Sequence, residues 1–313
     1  MTEPTVSVGM ITYNHAPYIT RAIEGVLQQK TKFPFELIIG EDCSSDGTRK
    51  VVFEYQERYP HIIRVITSDR NVGAKENGYR TWKACRGKYI ALCEGDDYWT
   101  SPEKLQKQVD FLDNHPECAI CFHNVTRVYD DGSHEPRNYC SDNQKKFSTV
   151  EDLLVTNFIP TCSTMFRRGL FGEFPDWYYS MPMGDWPLHI LNALHGKIGY
   201  INEVMGVYQI HRGGVWSSQS LEDTDKAIIQ FYDVLNTHVE YKYRKIINRV
   251  LHNWCLKMSE EYAGRGNSAE ARSYAIRCLT KNFMVSRKLF KMLLKLYVPI
   301  LYNLLMSLKR QLP

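Results

Sequence analysis

Residues 89–99 read Tyr-Ile-Ala-Leu-Cys-Glu-Gly-Asp-Asp-Tyr-Trp. An apolar run stops abruptly in Glu94, Asp96 and Asp97, three carboxylates within four residues. As structure, this is a buried strand whose acids emerge at the C-terminal edge of a sheet. As chemistry, it is a hard-oxygen cluster suited to Mg²⁺ or Mn²⁺ shared with a diphosphate, since both ions take oxygen donors and use substrate phosphates as ligands. A strand closed by an acidic turn would look the same in isolation, so the segments around it decide.

Upstream, Val6–Thr12 is β-branched and apolar and reads as a central strand. It ends at Tyr13, Asn14 and His15, and Pro17 opens a helix with Ile19, Ala22, Ile23 and Val26 at helical spacing. Residues 35–40 (FELIIG) form a second buried strand ending at Glu41 and Asp42, after which Ser45 or Asp46 is placed to cap a helix. Residues 62–66 read as a third strand, 71–73 as a turn and 75–84 as a helix stopped by Gly87. Strand and helix alternate at short intervals, which predicts an α/β fold: a doubly wound, mostly parallel sheet with helices on both faces. Ligands of such sheets lie at the carboxyl ends of the strands, where Tyr13, Asn14, Asp42 and the 94–97 acids all fall. Neither a G-x-G-x-x-G turn nor a G-x-x-x-x-G-K-[ST] loop is present, so a bound diphosphate would be held by metal rather than by a glycine loop.

Downstream, a helix follows Ser101-Pro102, residues 119–125 form a strand, and polar residues 130–146 form a loop or hairpin. A short helix follows Thr149, and residues 162–166 fit a strand. Residues 174–183 carry Trp177, Tyr178 and Tyr179, which would line a core or stack a sugar. Asp185 precedes a helix: an N-cap aspartate explains it locally, and a general base explains it functionally. His211 follows a strand and precedes two glycines, where a loop histidine or a metal ligand would stand. From residue 221 the composition turns helical, with a loose helix-turn-helix pattern around Trp254, Tyr262 and Tyr274.

The chain of 313 residues has a net charge of +4 and no basic run interleaved with aromatics, which speaks against nucleic acid as a partner. Nine scattered cysteines lack a disulfide framework, and the lone Cys118-x-x-Cys121 has no second pair to make a zinc site. A reduced, cytoplasmic setting is expected. No signal peptide and no transmembrane helix are expected, because the polar start leads directly into a strand and no apolar run reaches 18 residues. The last stretch, 283–312, is a basic amphipathic helix that would either rest peripherally on the inner face of the cytoplasmic membrane or pack on protein.

Six stretches, VSVGMITYNHAPYI, ELIIGEDCSSDGT, the NVG turn, ACRGKYIALCEGDDYW, MGDW and IHRGG, occur in this order over residues 5–217. Together they resemble the family 2 glycosyltransferases, inverting enzymes of the GT-A fold. The resemblance implies a catalytic domain over residues 1–217 and a helical appendage over 218–313. It implies that Tyr13, Asn14, Asp42, Lys75 and Asp96 bind a nucleotide-diphosphate sugar, UDP being favoured, with Asp42 accepting from the base. It implies a divalent metal, Mn²⁺ or Mg²⁺, held by Asp96, Asp97 and His211, with Asp185 as catalytic base and Glu94 and Trp186 as further site residues. Glu94 stands where the family's first aspartate is usual, and Asp185 lies in Gly-Asp-Trp rather than the commoner Glu-Asp pair. The expected acceptor is a hydroxyl of a glycan or a lipid-linked sugar. A nucleotidyltransferase or a non-catalytic nucleotide-sugar-binding module would share the fold. The former would carry a glycine-rich basic loop after the first strand, where this chain has TYNHAPY.

Overall fold

The computed structural model describes residues 3–214, 219–281 and 287–303. The first half follows the expected alternation: β1 Val6–Thr12, α1 Ile19–Leu27, β2 Phe35–Glu41, α2 Thr48–Arg58, β3 Ile63–Ile66, α3 Ala74–Lys83 and β4 Tyr89–Leu92. Then come β5 Tyr98–Trp99, α4 Lys104–Asn114, β6 Cys118–Tyr129, β7 Arg137–Asn138, β8 Phe147–Ser148, α5 Val150–Val155, β9 Met165–Arg167, α6 Asp176–Tyr179, α7 Asp185–Ala193 and β10 Lys197–Ile210. Among the described residues all ten strands share one sheet, with path β3-β2-β1-β4-β9-β6-β10-β5, β7 pairing with β6 and β8 with β10.

From β3 to β4 every pairing is parallel. The short strand β9 runs antiparallel to both β4 and β6, and β6 runs parallel to β10. Two reversals cancel, so β4, β6 and β10 end at the same edge as β1. The chain lays β2 and β3 to one side of β1 and then returns to lay β4 on the other. That makes the C-terminal ends of β1 and β4 the switch point, where a crevice opens in sheets of this kind. Val6, Val8 and Met10 of β1 are wholly buried, as are Ile19, Ile23 and Val26 of α1. A strand covered on both faces needs this unbroken apolar run.

Several local readings are corrected. Gly47, at φ +103, holds the N-cap position of α2, and Asp46 stands one residue before it, accepting the Thr48 amide at 3.0 Å. Gly87 does not stop α3 by a left-handed turn. A Cβ there would lie 2.5 Å from the Ser7 amide nitrogen and 2.8 Å from the Val6 carbonyl carbon, so glycine is needed for the chain to pass β1. Beside it Ser7 Oγ donates to Glu36 at 2.6 Å and accepts the Gly87 amide at 2.8 Å, while Arg86 closes on Glu36 at 2.6 Å. The strand expected at 162–166 is confined to Met165–Arg167, because 161–163 make a 3₁₀ turn. Residues 130–146 do form a hairpin, with β7 on β6. Thr149 caps α5 in a capping box with Asp152.

The chain divides into two compact units, Met1–Gln219 and Ser220–Pro313. The second holds α8 Leu221–His238, α9 Arg244–Gly264, α10 Ser268–Lys281 and α11 Arg287–Tyr297. Helices α9 and α10 make the expected hairpin: Gly266 takes φ +79 in the turn, and the Tyr262 and Tyr274 rings stack at 5.4 Å. The expected basic amphipathic segment 283–312 lies partly outside the described residues. Within α11 the stripe Leu289, Met292 and Leu296 is buried in its own unit, and Lys288 pairs with Glu260 at 2.8 Å. Among the described residues no helix is long and apolar enough to cross a membrane. All nine cysteines are free, and Cys118 and Cys121 are buried in β6.

Candidate active site

The loops after β1 and β2 are stitched together by polar side chains. The Asn14 amide donates to Ser44 Oγ at 3.0 Å, and Asn14 Oδ1 accepts the Ser45 amide at 2.9 Å. Asn14 sits at φ +54, a conformation asparagine tolerates better than most residues. The His15 amide donates to Thr48 Oγ1 at 2.8 Å, and the Ala16 amide to Asp46 at 2.9 Å. These bonds aim the His15 ring at the end of β4. There Gly95 lets the segments approach: a Cβ on it would meet Thr12 Oγ1 at 2.6 Å and His15 Nδ1 at 3.1 Å.

Asp96 is the meeting point. Its Oδ2 lies 3.0 Å from His211 Nε2 and 3.8 Å from His15 Nε2, and one ligand atom from each of the three residues falls within 4.8 Å of the others. Burial alone would raise the Asp96 pKa, but the hydrogen bond from His211 and the field of His15 hold it below the usual carboxylate range. The same hydrogen bond raises His211, while burial lowers His15. One carboxylate with two imidazoles is a donor set that fits a first-row divalent ion.

Asp97 stands apart from this trio: its Oδ1 accepts the Gln209 amide of β10 at 2.8 Å, and the residue is only 2% exposed. Burial, with Asp96 second, pushes Glu94 up to about 8, so it is mostly protonated near neutrality. Beneath the acids Lys104 is fully buried with its ammonium 3.6 Å from the centre of the Trp99 ring, and burial brings it down to about 7.

A cavity of about 230 Å³ opens beside Asp96 and is lined also by Lys75, Trp82, Met183, Asp185 and Tyr208. Asp185 is not an N-cap. Gly184 holds that position, and Asp185 is the first residue of α7, with Oδ2 accepting from Asn157 Nδ2 at 3.3 Å and from Thr161 Oγ1 at 3.2 Å. Trp186 does not join it. Its indole N–H donates to the Leu153 carbonyl of α5 at 3.0 Å, because neighbours on a helix point about 100° apart. Lys75 donates to the Tyr179 carbonyl at 2.8 Å and also to that of Met181, fastening α3 to the aromatic segment before α7. In that segment Tyr178 is core, packed with Phe174 and Trp82, and Tyr179 is 40% exposed.

Of the residues expected at the donor, Asp96 and Lys75 line this cavity, and Tyr13 stands 44% exposed at the same edge. Asp42 does not reach the cavity. It is 1% exposed, its two oxygens accept the Val72 and Gly73 amides at 2.9 Å each, and Arg80 lies 3.6 Å away. Its visible work is to hold the Asn-Val-Gly turn at the start of α3. His15, Asn157 and Thr161 belong to the site without having been singled out in the sequence. His15 alone left a signal, as a polar residue at the carboxyl end of a central strand.

The description "Glycosyl transferase family 2" matches residues 7–174, more than half of the chain. A Mycobacterium tuberculosis protein of uncharacterized function, Rv1520, is 42% identical over 68% of this chain, and the match spans 61% of that protein's length. TuaG of Bacillus subtilis, which bears the name of a teichuronic acid biosynthesis glycosyltransferase, is 31% identical over 69% of this chain and 83% of its own. Among solved structures, S. aureus TarS 1–349 with UDP-GlcNAc has a TM-score of 0.59 at 18% identity, over 86% of this chain and 90% of that one. The mannosyltransferase PcManGT of Pyrobaculum calidifontis, with GDP-Man and Mn²⁺, has a TM-score of 0.57 at 17% identity, over 98% and 84%. On the span and identity of these matches, and with the same mostly parallel GT-A sheet beneath them, the chain belongs to glycosyl transferase family 2.

Proposed function

We propose that this chain is an inverting glycosyltransferase that moves a sugar from a nucleotide-diphosphate sugar, most simply a UDP-sugar, to a hydroxyl of a glycan or lipid-linked acceptor during the building of cell-surface polysaccharide or glycan. One observation carries the reading: Asp185, oriented by Asn157 and Thr161, and Asp96, backed by His211, face one cavity at the switch-point edge of the sheet.

In this reading Tyr13 offers an exposed ring to the base, and Asp96 and Lys75 meet the donor. Asn157 and Thr161 hold Asp185 by Oδ2, and Oδ1 takes the proton of the acceptor hydroxyl as that oxygen attacks the anomeric carbon. A single base opposite the departing diphosphate gives inversion, whereas retention through a covalent intermediate needs a second ionised carboxylate at the sugar. Of the other acids in the wall, Glu94 and Asp97 are pushed above the usual carboxylate range by burial, and Asp96 is engaged by His211 and His15, which makes each a poor nucleophile. A divalent cation, Mn²⁺ or Mg²⁺, held by Asp96 and His211 with Asp97 bracing the loop, would offset charge on the leaving diphosphate. The donors in the TarS and PcManGT structures differ, so family membership leaves the base and sugar open. Exposed Phe290 and Ile300, in the same stretch as exposed Lys291 and Lys295, fit peripheral contact with the inner leaflet, although Leu289, Met292 and Leu296 turn inward.

The test is a panel of nucleotide sugars, each assayed for hydrolysis and transfer with Mn²⁺, with Mg²⁺ and with chelator. Turnover of one donor class, dependent on metal and giving a product of inverted anomeric configuration by NMR, supports the reading. Failure of every donor to bind or react would refute it.

A further inference from the structure

We infer that His15 is a third protein ligand, so that His15, Asp96 and His211 form a two-histidine, one-carboxylate centre able to take a first-row transition ion before any nucleotide arrives. The inference deepens the donor-site reading above and rests on it for its biological purpose, though not for its test.

Three observations carry it. The first is distance. Metal–imidazole bonds are about 2.0–2.1 Å and metal–carboxylate bonds about 2.0–2.2 Å, so two ligands of one ion stand roughly 3–4 Å apart. His211 Nε2 and His15 Nε2 lie 3.0 and 3.8 Å from Asp96 Oδ2, and the full set spans at most 4.8 Å. Closure round an ion needs movement of less than about one ångström, within the reach of side-chain torsions. The second is anchoring. The backbone of His15 is fixed by Thr48 Oγ1 on its amide and by the Tyr18 and Ile19 amides on its carbonyl. Gly95 leaves the gap that lets its ring approach the end of β4. The third is access: the side chains of His15, Asp96 and His211 are 16%, 19% and 8% exposed, covered yet reachable.

The donor types set the class of ion. Two imidazoles suit transition ions such as Mn²⁺, Co²⁺ or Zn²⁺, whereas Mg²⁺ wants six oxygens in near-octahedral array and gives up its waters reluctantly. Three protein ligands also leave open positions where diphosphate oxygens can bind. A site with only Asp96 and His211 would depend on those oxygens for affinity. With His15 the ion is resident first and the donor joins it.

The experiment titrates the full chain with Mn²⁺ or Mg²⁺ alone, reading free Mn²⁺ by EPR and heat by calorimetry, then repeats it with UDP and with GDP. Wild type should bind one Mn²⁺ per chain without nucleotide, and Mg²⁺ at least tenfold more weakly. His15→Ala should weaken nucleotide-free Mn²⁺ binding at least tenfold, with much of the loss recovered when UDP or GDP is present. His15→Gln, with an unchanged thermal melt, guards against a folding artefact. Equal Mn²⁺ affinity for wild type and both variants, Mg²⁺ bound as tightly as Mn²⁺, or no Mn²⁺ bound by wild type in the absence of nucleotide would each overturn the inference. The donor panel separates the two readings. Metal-dependent turnover with no role for His15 sinks this centre alone, whereas His15-dependent Mn²⁺ binding with no nucleotide sugar recognised sustains the centre and sinks the transferase.

Discussion

Replacing Asp185 by asparagine isolates proton transfer from architecture. The two donors that meet Asp185 Oδ2, Asn157 Nδ2 and Thr161 Oγ1, are 3.3 and 3.2 Å away, so both bonds are long. The asparagine carbonyl oxygen can take the same place, with its amide nitrogen where Oδ1 now stands. Two charge-assisted bonds become neutral ones, which costs about 1 kcal/mol in total at these lengths. That corresponds to a fall of roughly 1.5–2 °C in melting temperature for a protein of this size. The effect on chemistry should be far larger. An amide cannot accept the hydroxyl proton, and loss of a positioned base typically slows the step about 10²–10⁴-fold, or roughly 3–5 kcal/mol of barrier. Donor affinity should stay within a few-fold, because Asp185 is assigned to the acceptor. The assay pairs single-turnover transfer with calorimetric donor binding on the same preparation. Equal losses in rate and donor affinity, or a variant that transfers at the wild-type rate, would refute the assignment.

Gly87→Ala places a methyl against backbone on three sides, at 2.5 Å from the Ser7 amide nitrogen, 2.8 Å from the Val6 carbonyl carbon and 2.9 Å from the Tyr89 oxygen. Urea unfolding should show a loss of about 1–3 kcal/mol, and an unchanged midpoint would contradict the packing described. Trp186→Phe removes the bond to the Leu153 carbonyl and should cost about 1–2 kcal/mol while leaving transfer within twofold; a selective loss of donor affinity would return Trp186 to the site. For Glu36, burial would raise the pKa, but Arg86 and Ser7 hold it below the usual carboxylate value. A depressed folded pKa gives stability that is complete above the unfolded value, about 4.3, and is lost as pH falls through the folded one. The stability gap between wild type and Glu36→Gln should therefore be constant above about pH 5 and close in more acid solution; a gap that widens there would reverse the sign.

The parallel half of the sheet was legible because VSVGMIT, FELIIG and YIAL are apolar on both faces and each ends in polar residues. The direction of β9 was not: three residues between two strands carry no sign of which way they run. Because β9 opposes both of its neighbours the two reversals cancel, and the parallel pairing of β6 with β10 sets His211 at the edge shared with Asp96. Sequence reads a carboxylate but not its donors. Asp42 and Asp96 look alike in the chain, yet the Val72 and Gly73 amides occupy the first, while the second meets two imidazoles from distant loops. Asp185 and Trp186 are adjacent in one motif, but the turn of α7 sends one to the cavity and the other to α5. Asn157 and Thr161 lie in a stretch without periodicity or motif, and only the folded chain ties them to Asp185.

The bond from the Gln209 amide to Asp97 has a practical bearing on redesign. It rivets the acidic turn to the last residues of β10, so Asp96 and His211 ride on one mechanical piece even though 115 positions separate them. Grafting a foreign segment after Gly214 should leave their spacing intact. Proline at 209 would pull the rivet, since it has no N–H to offer, and the two halves of the centre would then drift independently.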